Sequence, residues 1–535
     1  MKPFTVLHLF GLAALVFAAG CLPVANWPPL PESLDRQSHA EKPFEKVTPV
    51  TFRLPENSVP PVSSPADVEE PLQLSIEQAV LLVLKNNRDL QARQLTPVIA
   101  GTFEQIERGK FDPELFGEAE YFKEKASETS RSSGGLYQVT GTDTYAVTGL
   151  RQFLPTGTTV EAGLSHERGI SDREPELQAA RAGLTVTQSL LRGLGPSVNM
   201  VSVRQAELET LASMDELRGF TEALLAETET AYWNYVLAGE KIAIFKESLR
   251  VARKQREEIE LRIQVGVLSE IEVAAAKAEE ARRVQALIDA RSQLEDRRLR
   301  LLRLISPNVN GHLDQPLKVV SEPRLELQPI DDLADRLQLA EKNRPDLNEA
   351  RLRLQQNRLE TIYTRNGLLP RLDFFIALGK TGYADTFSDA FRELNGSAYD
   401  ISVGVRLSHM LGNRAAKAQD VAAHASRRQA TVAVDNLKQL IHLDVRLGVN
   451  EAECARQQIG ATRETRIFQE QTLAAEKERF DVGASTALEV AQAQRDLLQS
   501  QIAEVETIVN YRIALVKLYL AEGSLLDRRG VTIQR

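Results

Sequence analysis

Two hydrophobic periodicities alternate along this chain. Residues 198–265 and 415–482 each run 68 positions without a proline. In the first, apolar or small residues recur at three-four spacing, from Leu217, Phe220 and Leu224 through Tyr235, Ile242 and Leu249 to Ile259 and Ile263. That spacing predicts a coiled-coil-like helical seam, interrupted at Glu227 and Arg256. A continuous helix of this length would measure about 100 Å. It is far too charged to cross a bilayer. Shorter helices are predicted to return over about 269–305 and 486–521, each covering half of its long partner.

The second periodicity has period two. Tyr399, Ile401, Val403, Val405 and Leu407 alternate with Asp400, Ser402, Gly404, Arg406 and Ser408, which predicts a strand with one apolar face. Leu372, Phe374, Ile376 and Leu378 predict its partner, with a polar loop near 379–397 between them. Further strands are predicted near 114–124, 144–153, 158–166 and 182–190, with a turn at Leu154-Pro155-Thr156-Gly157. A helical segment from about Ser75 to Arg108 precedes them, with Ser75 placed to cap it.

The chain repeats itself. Arg262, Val265, Gly266, Glu272, Val273, Ala274 and Ala276 recur as Arg479, Val482, Gly483, Glu489, Val490, Ala491 and Ala493 at an offset of 217. Asp89-Leu90 and Pro113 recur as Asp346-Leu347 and Pro370 at an offset of 257. The first copy therefore carries 40 extra residues between Pro113 and Val186, about one added hairpin. Each copy reads helix, strands, long helix, Val-Gly tip, returning helix. A repeated supersecondary unit of this kind decides the architecture.

The 535 residues carry a net charge of −9, which argues against a nucleic-acid partner. Lys2 and the apolar run Val6–Gly20 read as a secretory signal. Ala18-Ala19-Gly20-Cys21 resembles the bacterial lipobox, with Cys21 the lipidated residue; ordinary cleavage beside an incidental cysteine is the alternative. By the same resemblance, Leu22 rather than Asp after the cysteine favours the outer membrane. Residues 22–71 hold eleven of the 23 prolines and read as an extended linker. Cys454 is expected to be an inert small residue within a helix. The organisation is thus a signal peptide (1–20), a lipid-anchored linker (21–72), repeat one (73–306), an inter-repeat linker (307–330), repeat two (331–526) and a tail (527–535).

Strands that cross a membrane must belong to a closed sheet, because an edge in lipid leaves backbone groups unpaired. Four to six strands fall short of the roughly eight of the smallest barrel, so the chain must oligomerise. The layout resembles the TolC family of outer-membrane efflux proteins, over about residues 74–526. Both Val-Gly tips with their trailing Glu-Val, both Asp-Leu to Pro landmarks and the Gly523-Ser524-Leu525-Leu526 ending carry the resemblance. It implies a mainly α fold with a membrane β-barrel: a homotrimer with a barrel of four strands per chain over a long α-helical coiled-coil barrel. It also implies docking to a periplasmic adaptor protein and an inner-membrane pump. Gln188-Ser189-Leu190 and Leu407-Ser408-His409 lack the proline that the family often has where strand returns to helix, and the added hairpin leaves the strand number open.

The resemblance also assigns sites. Arg262, Val265, Gly266, Val267, Ser269, Arg479, Val482, Gly483, Ala484 and Thr486 become adaptor-contact tips, with the arginines pairing to carboxylates of neighbouring hairpins or remaining solvated. Glu272 and Glu489 become acid rings at a periplasmic gate, or ordinary helix carboxylates. Gln492 stands where the family often has a second acid. The seven histidines have no metal-site spacing, and no phosphate loop or nucleophile motif occurs, so no cofactor, metal or enzyme activity is expected. A periplasmic coiled-coil adaptor or scaffold without a pore is the rival reading, and the apolar strand face speaks against it. A helical hydrolase would need a carboxylate pair in a cleft, and none is evident.

Overall fold

A computed structural model describes residues 50–53, 72–129, 134–172, 175–266, 269–306, 316–320, 330 and 332–533. The chain divides into two units, each assembled from separated stretches. The first takes Ile99–Thr210 and Leu352–Val432; the second takes Val47–Val98, Leu211–Arg351 and Ala433–Arg535.

The first unit is organised by one six-stranded antiparallel sheet. Its strands are β1 (Glu114–Thr129), β2 (Leu136–Phe153), β3 (Thr158–Ser171), β4 (Leu177–Ser189), β5 (Arg371–Ala384) and β6 (Tyr399–Ser408), in that spatial order. The added 40 residues form a further hairpin, so the first repeat supplies four strands and the second supplies two. At 16, 18, 14 and 13 residues, the first four strands are longer than the sequence alone suggests. Threonines, serines and glycines within them dilute the apolar alternation that marks a strand.

Alternation sorts the side chains into two faces. One apolar row runs through Leu115, Leu150, Ala162, Leu184, Leu378 and Ile401, each paired with the next across the ladder. Several of these large side chains are exposed, as are Val403, Val405 and Leu407. The other face carries ion pairs: Arg151 bonds Glu161 at 2.9 Å, and Arg181 bonds Asp400 at 2.5 Å. The β2–β3 turn is closed by Gly157 N–H donating to Leu154 O at 2.9 Å. The polar stretch after β5 is not all loop. β5 runs to Ala384, and a short helix (Phe387–Arg392) lays Phe387 4.7 Å from the His166 ring.

The segment expected as one helix from Ser75 to Arg108 is three: α1 (Ile76–Asn86), α2 (Arg88–Arg93) and α3 (Thr96–Arg108). Ser75 does cap α1, in a capping box with Gln78. Asn87 breaks the run by leaving helical geometry, and its side chain accepts from Leu90 N–H to start α2. Its amide also donates to Leu304 O. The gain is local: an orphan carbonyl at another helix end is satisfied.

Two long helices, α4 (Val201–Gln264) and α6 (Arg414–Asp481), are each followed by a 35-residue helix, α5 (Ile271–Ile305) and α7 (Ala487–Ala521). Among the described residues no helix is long and apolar enough to cross a membrane. In the second unit, Leu217, Leu224, Tyr232, Trp233 and Tyr235 of α4 pack with Leu301, Leu302, Val509, Val516, Leu525 and Leu526. Tyr232 and Tyr235 keep their hydroxyls bonded to Leu74 O and Leu317 O, so this aromatic burial leaves those polar tips satisfied. Cys454 lies within α6 but is exposed, not packed as a small core residue.

The Gly523-Ser524-Leu525-Leu526 segment sits among buried charges. Arg336 pairs with fully buried Glu522, and Arg529 grips fully buried Glu229 with two bonds of 2.6 Å. Nearby, Arg218 bridges Glu222 at 3.3 Å and Asp527 at 3.1 Å.

Candidate functional site

The two Val-Gly turns both lie in the second unit. Gly266 and Gly483 adopt φ of +78° and +76°, a left-handed conformation that glycine reaches without the clash a Cβ would bring. Their N–H groups donate to Ile263 O and Phe480 O, and Ala484 N–H reaches Arg479 O at 2.8 Å. This is a glycine-terminated helix end that satisfies the last carbonyls.

The two turns lead into differently capped helices. Thr486 accepts from Glu489 N–H while the Glu489 carboxylate accepts from Thr486 N–H at 2.9 Å, which makes a capping box. Ser485 donates to the same carboxylate at 2.8 Å. The Thr486 backbone N–H, aided by the Ser485 hydroxyl, holds the Glu489 carboxyl below its usual range. That contribution is present at neutral pH and disappears as acidification protonates Glu489. At the first tip Ser269 and Glu272 have the same spacing, yet Ser269 Oγ reaches only Ile271 N–H, at 3.5 Å, and α5 starts without a side-chain cap. Glu272 is half-buried in that first turn.

The tip arginines behave differently. Arg262 Nη2 lies 2.5 Å from Asp481 of the second hairpin, with its guanidinium 5.1 Å from the Phe480 ring centroid. Arg479 stays within its own hairpin, on Glu476 at 2.7 Å and Ala484 O at 3.5 Å. Val265 and Val482 are exposed, and so are Ile271 and Leu488, which sit at matching positions of the two copies. Val267 lies outside the described residues, as does Cys21.

Sequence reasoning singled out neither Asp481 nor the Ile271 and Leu488 pair, nor the capping function of Glu489. The signals were present: Ser-x-x-Glu and Thr-x-x-Glu come after each glycine, and an apolar residue recurs at the shared offset. Thr486→Ala is expected to cost about 1 kcal/mol in local stability. Amide exchange in the first turn of α7 would rise accordingly, while Ser269→Ala should change exchange in α5 much less.

Residues 336–524 match the family described as outer membrane efflux protein. Outer membrane efflux protein BepC of Brucella suis biovar 1 (strain 1330) is 23% identical over 353 residues, covering 66% of this chain and 74% of the relative. Outer membrane protein TolC of Escherichia coli (strain K12) is 25% identical over 367 residues, covering 65% and 70%. In fold, the chain is similar to the Campylobacter jejuni CmeC outer membrane channel, with a TM-score of 0.62 and 17% identity over 89% of this chain and 95% of that one. Members of this group are transport channels, not enzymes. With its glycine tips, paired long helices and amphipathic sheet, the chain is similar to the TolC-like outer membrane efflux proteins.

Proposed function

We propose that this chain forms a homotrimeric exit duct in the outer membrane, anchored by lipid on Cys21 and passive by itself. It would serve a tripartite exporter together with a periplasmic adaptor and an inner-membrane pump. The observation that carries the reading is the sheet: an apolar row crosses one face of all six strands, the opposite face carries paired charges, and among the described residues the outer edges of β1 and β6 have no strand partner within the chain. Such a sheet suits lipid on one side and a watery lumen on the other, provided neighbouring copies close it.

The tips would form the adaptor-contact and gating end. Exposed Val265, Ile271, Val482 and Leu488 offer apolar anchor points to helical hairpins of the adaptor. The Arg262–Asp481 pair would hold adjacent hairpins together in the closed duct. Glu272 and Glu489 would add threefold acidic rings at the gate, favouring cations there. Because Glu489 is committed to its cap, Glu272 would contribute more of that field.

Planar-bilayer recording tests the reading. The wild-type protein should show small conductance steps. Arg262→Ala combined with Asp481→Ala should raise the open conductance severalfold without loss of trimer. A photocrosslinker at position 484 should capture an adaptor in cells. A protein released from membranes without detergent, and silent in bilayers, would instead be the periplasmic scaffold.

A further inference from the structure

We infer that three copies close an 18-stranded barrel, with the β1 edge of each copy paired to the β6 edge of the next and all six strands of every copy in the wall. This rests on the proposed trimeric duct, but it departs from the four strands per chain that the family resemblance implies.

Three features of the sheet carry it. The first is continuity. The apolar row from Leu115 to Ile401 crosses β1 and β2 as it crosses the other strands, so at that level the added hairpin turns its leucines to the same side as its neighbours. A hairpin folded away from the wall would expose Leu115 and Leu150 to water. It would also sever a β2–β3 ladder that runs from Gly141↔Ser171 to Phe153↔Thr159.

Strand polarity is the second. β1 starts, and β6 ends, at the sheet end where the strands meet α3 and α6. The two edges therefore run oppositely and can continue the antiparallel alternation with no reversal.

The third is register. Starting at Glu114, the first residue of β1, the paired row passes Arg151, Glu161, Thr185 and Ala377 and arrives at Ser402. Ser402 is six residues short of Ser408, the last residue of β6. A symmetric ring repeats one shift at every seam, and setting the start of β1 level with the end of β6 places Ser408 opposite Glu114 of the next copy. Each copy then advances the register by six residues over six strands. One residue per strand corresponds to a strand tilt of about 35°, which is within the range of membrane barrels. The same register keeps parity: Leu407 falls opposite Leu115 and Ile401 opposite Tyr121, apolar face to apolar face. On the lumen side it sets Arg406 diagonally between Glu114 and Glu118, a favourable cross-strand placement.

At that tilt an 18-stranded wall has a backbone diameter of about 33 Å, against about 22 Å for 12 strands. The mouth of this duct would then be about half as wide again as its relatives' mouths.

Disulfide trapping tests the closure. In a Cys454→Ser background, Glu120→Cys and Ser402→Cys occupy opposing lumen-facing positions across the proposed seam, yet they lie on opposite edges within one chain. Mild oxidation should give covalent dimers and trimers from the double variant and only monomer from either single variant. Ser165→Cys with Ser402→Cys reports the alternative, in which the β1–β2 hairpin leaves the wall and β3 becomes the edge. Crosslinks from that pair, or trimers in which neither pair reacts, overturn the 18-stranded wall and leave the duct reading standing. Failure of a long amine-reactive crosslinker to give any trimer overturns both.

Discussion

Arg336→Ala is expected to destabilise the protein by about 3 kcal/mol, at the lower end of what breaking a buried ion pair costs. The Glu522 carboxylate is fully buried, and Arg336 is itself nearly so. Removing the guanidinium strands one oxygen of that carboxylate out of water. The other oxygen keeps Ser524 at 3.1 Å and Arg528 at 3.5 Å, which limits the loss. The pair ties the second repeat's opening helix, at Leu333–Asn343, to the chain just past α7. Its loss should therefore lower the midpoint of cooperative helix unfolding in detergent. Replacing both partners, Arg336→Met with Glu522→Met, should recover most of the loss, because paired apolar groups owe no desolvation. A single variant as stable as wild type would show that water reaches Glu522.

The pH dependence of Glu222 is expected to be of similar size. Burial pushes its carboxyl from the ordinary 4.5 up to about 7, outweighing the attraction of Arg218 3.3 Å away. Asp527 pushes in the same direction as burial, and Arg344 opposes it. Between those two pH values the folded protein binds a proton that the unfolded chain has released, so stability falls as pH rises through that window. The shift corresponds to about 3 kcal/mol lost between pH 4 and pH 8. Glu222→Gln should remove this term: it should leave stability near pH 4 almost unchanged and stabilise the protein at pH 8. Parallel unfolding curves for the two proteins across the range would mean that Glu222 stays ionised.

The elements that were legible in the sequence were the long and periodic ones. Both long helices and their returning partners are plain from proline-free length and the Val-Gly turns, and β6 from unbroken alternation between Tyr399 and Leu407. The break at Asn87 was hidden because its cause is tertiary: the asparagine amide serves Leu304 O, 217 residues away. The full length of β1 was hidden for another reason. Its charged face alternates Glu114, Phe116, Glu118 and Glu120, so aromatic and acidic residues share one side. The glycine tips were legible because a left-handed residue leaves a mark that composition cannot mask. The Arg262–Asp481 contact was not, because the second copy carries an acid where the first has Gln264.

That divergence between copies bears on symmetry. Duplication supplies two hairpins per chain, and a trimer of them would approximate a sixfold ring. The second tip is locked by a capping box and the first is not, and the arginine of the first alone reaches across to the second. Stiff and soft hairpins would then alternate around the ring. Such an aperture has only threefold mechanics: three firm posts, and three yielding leaves on which any opening force would act first.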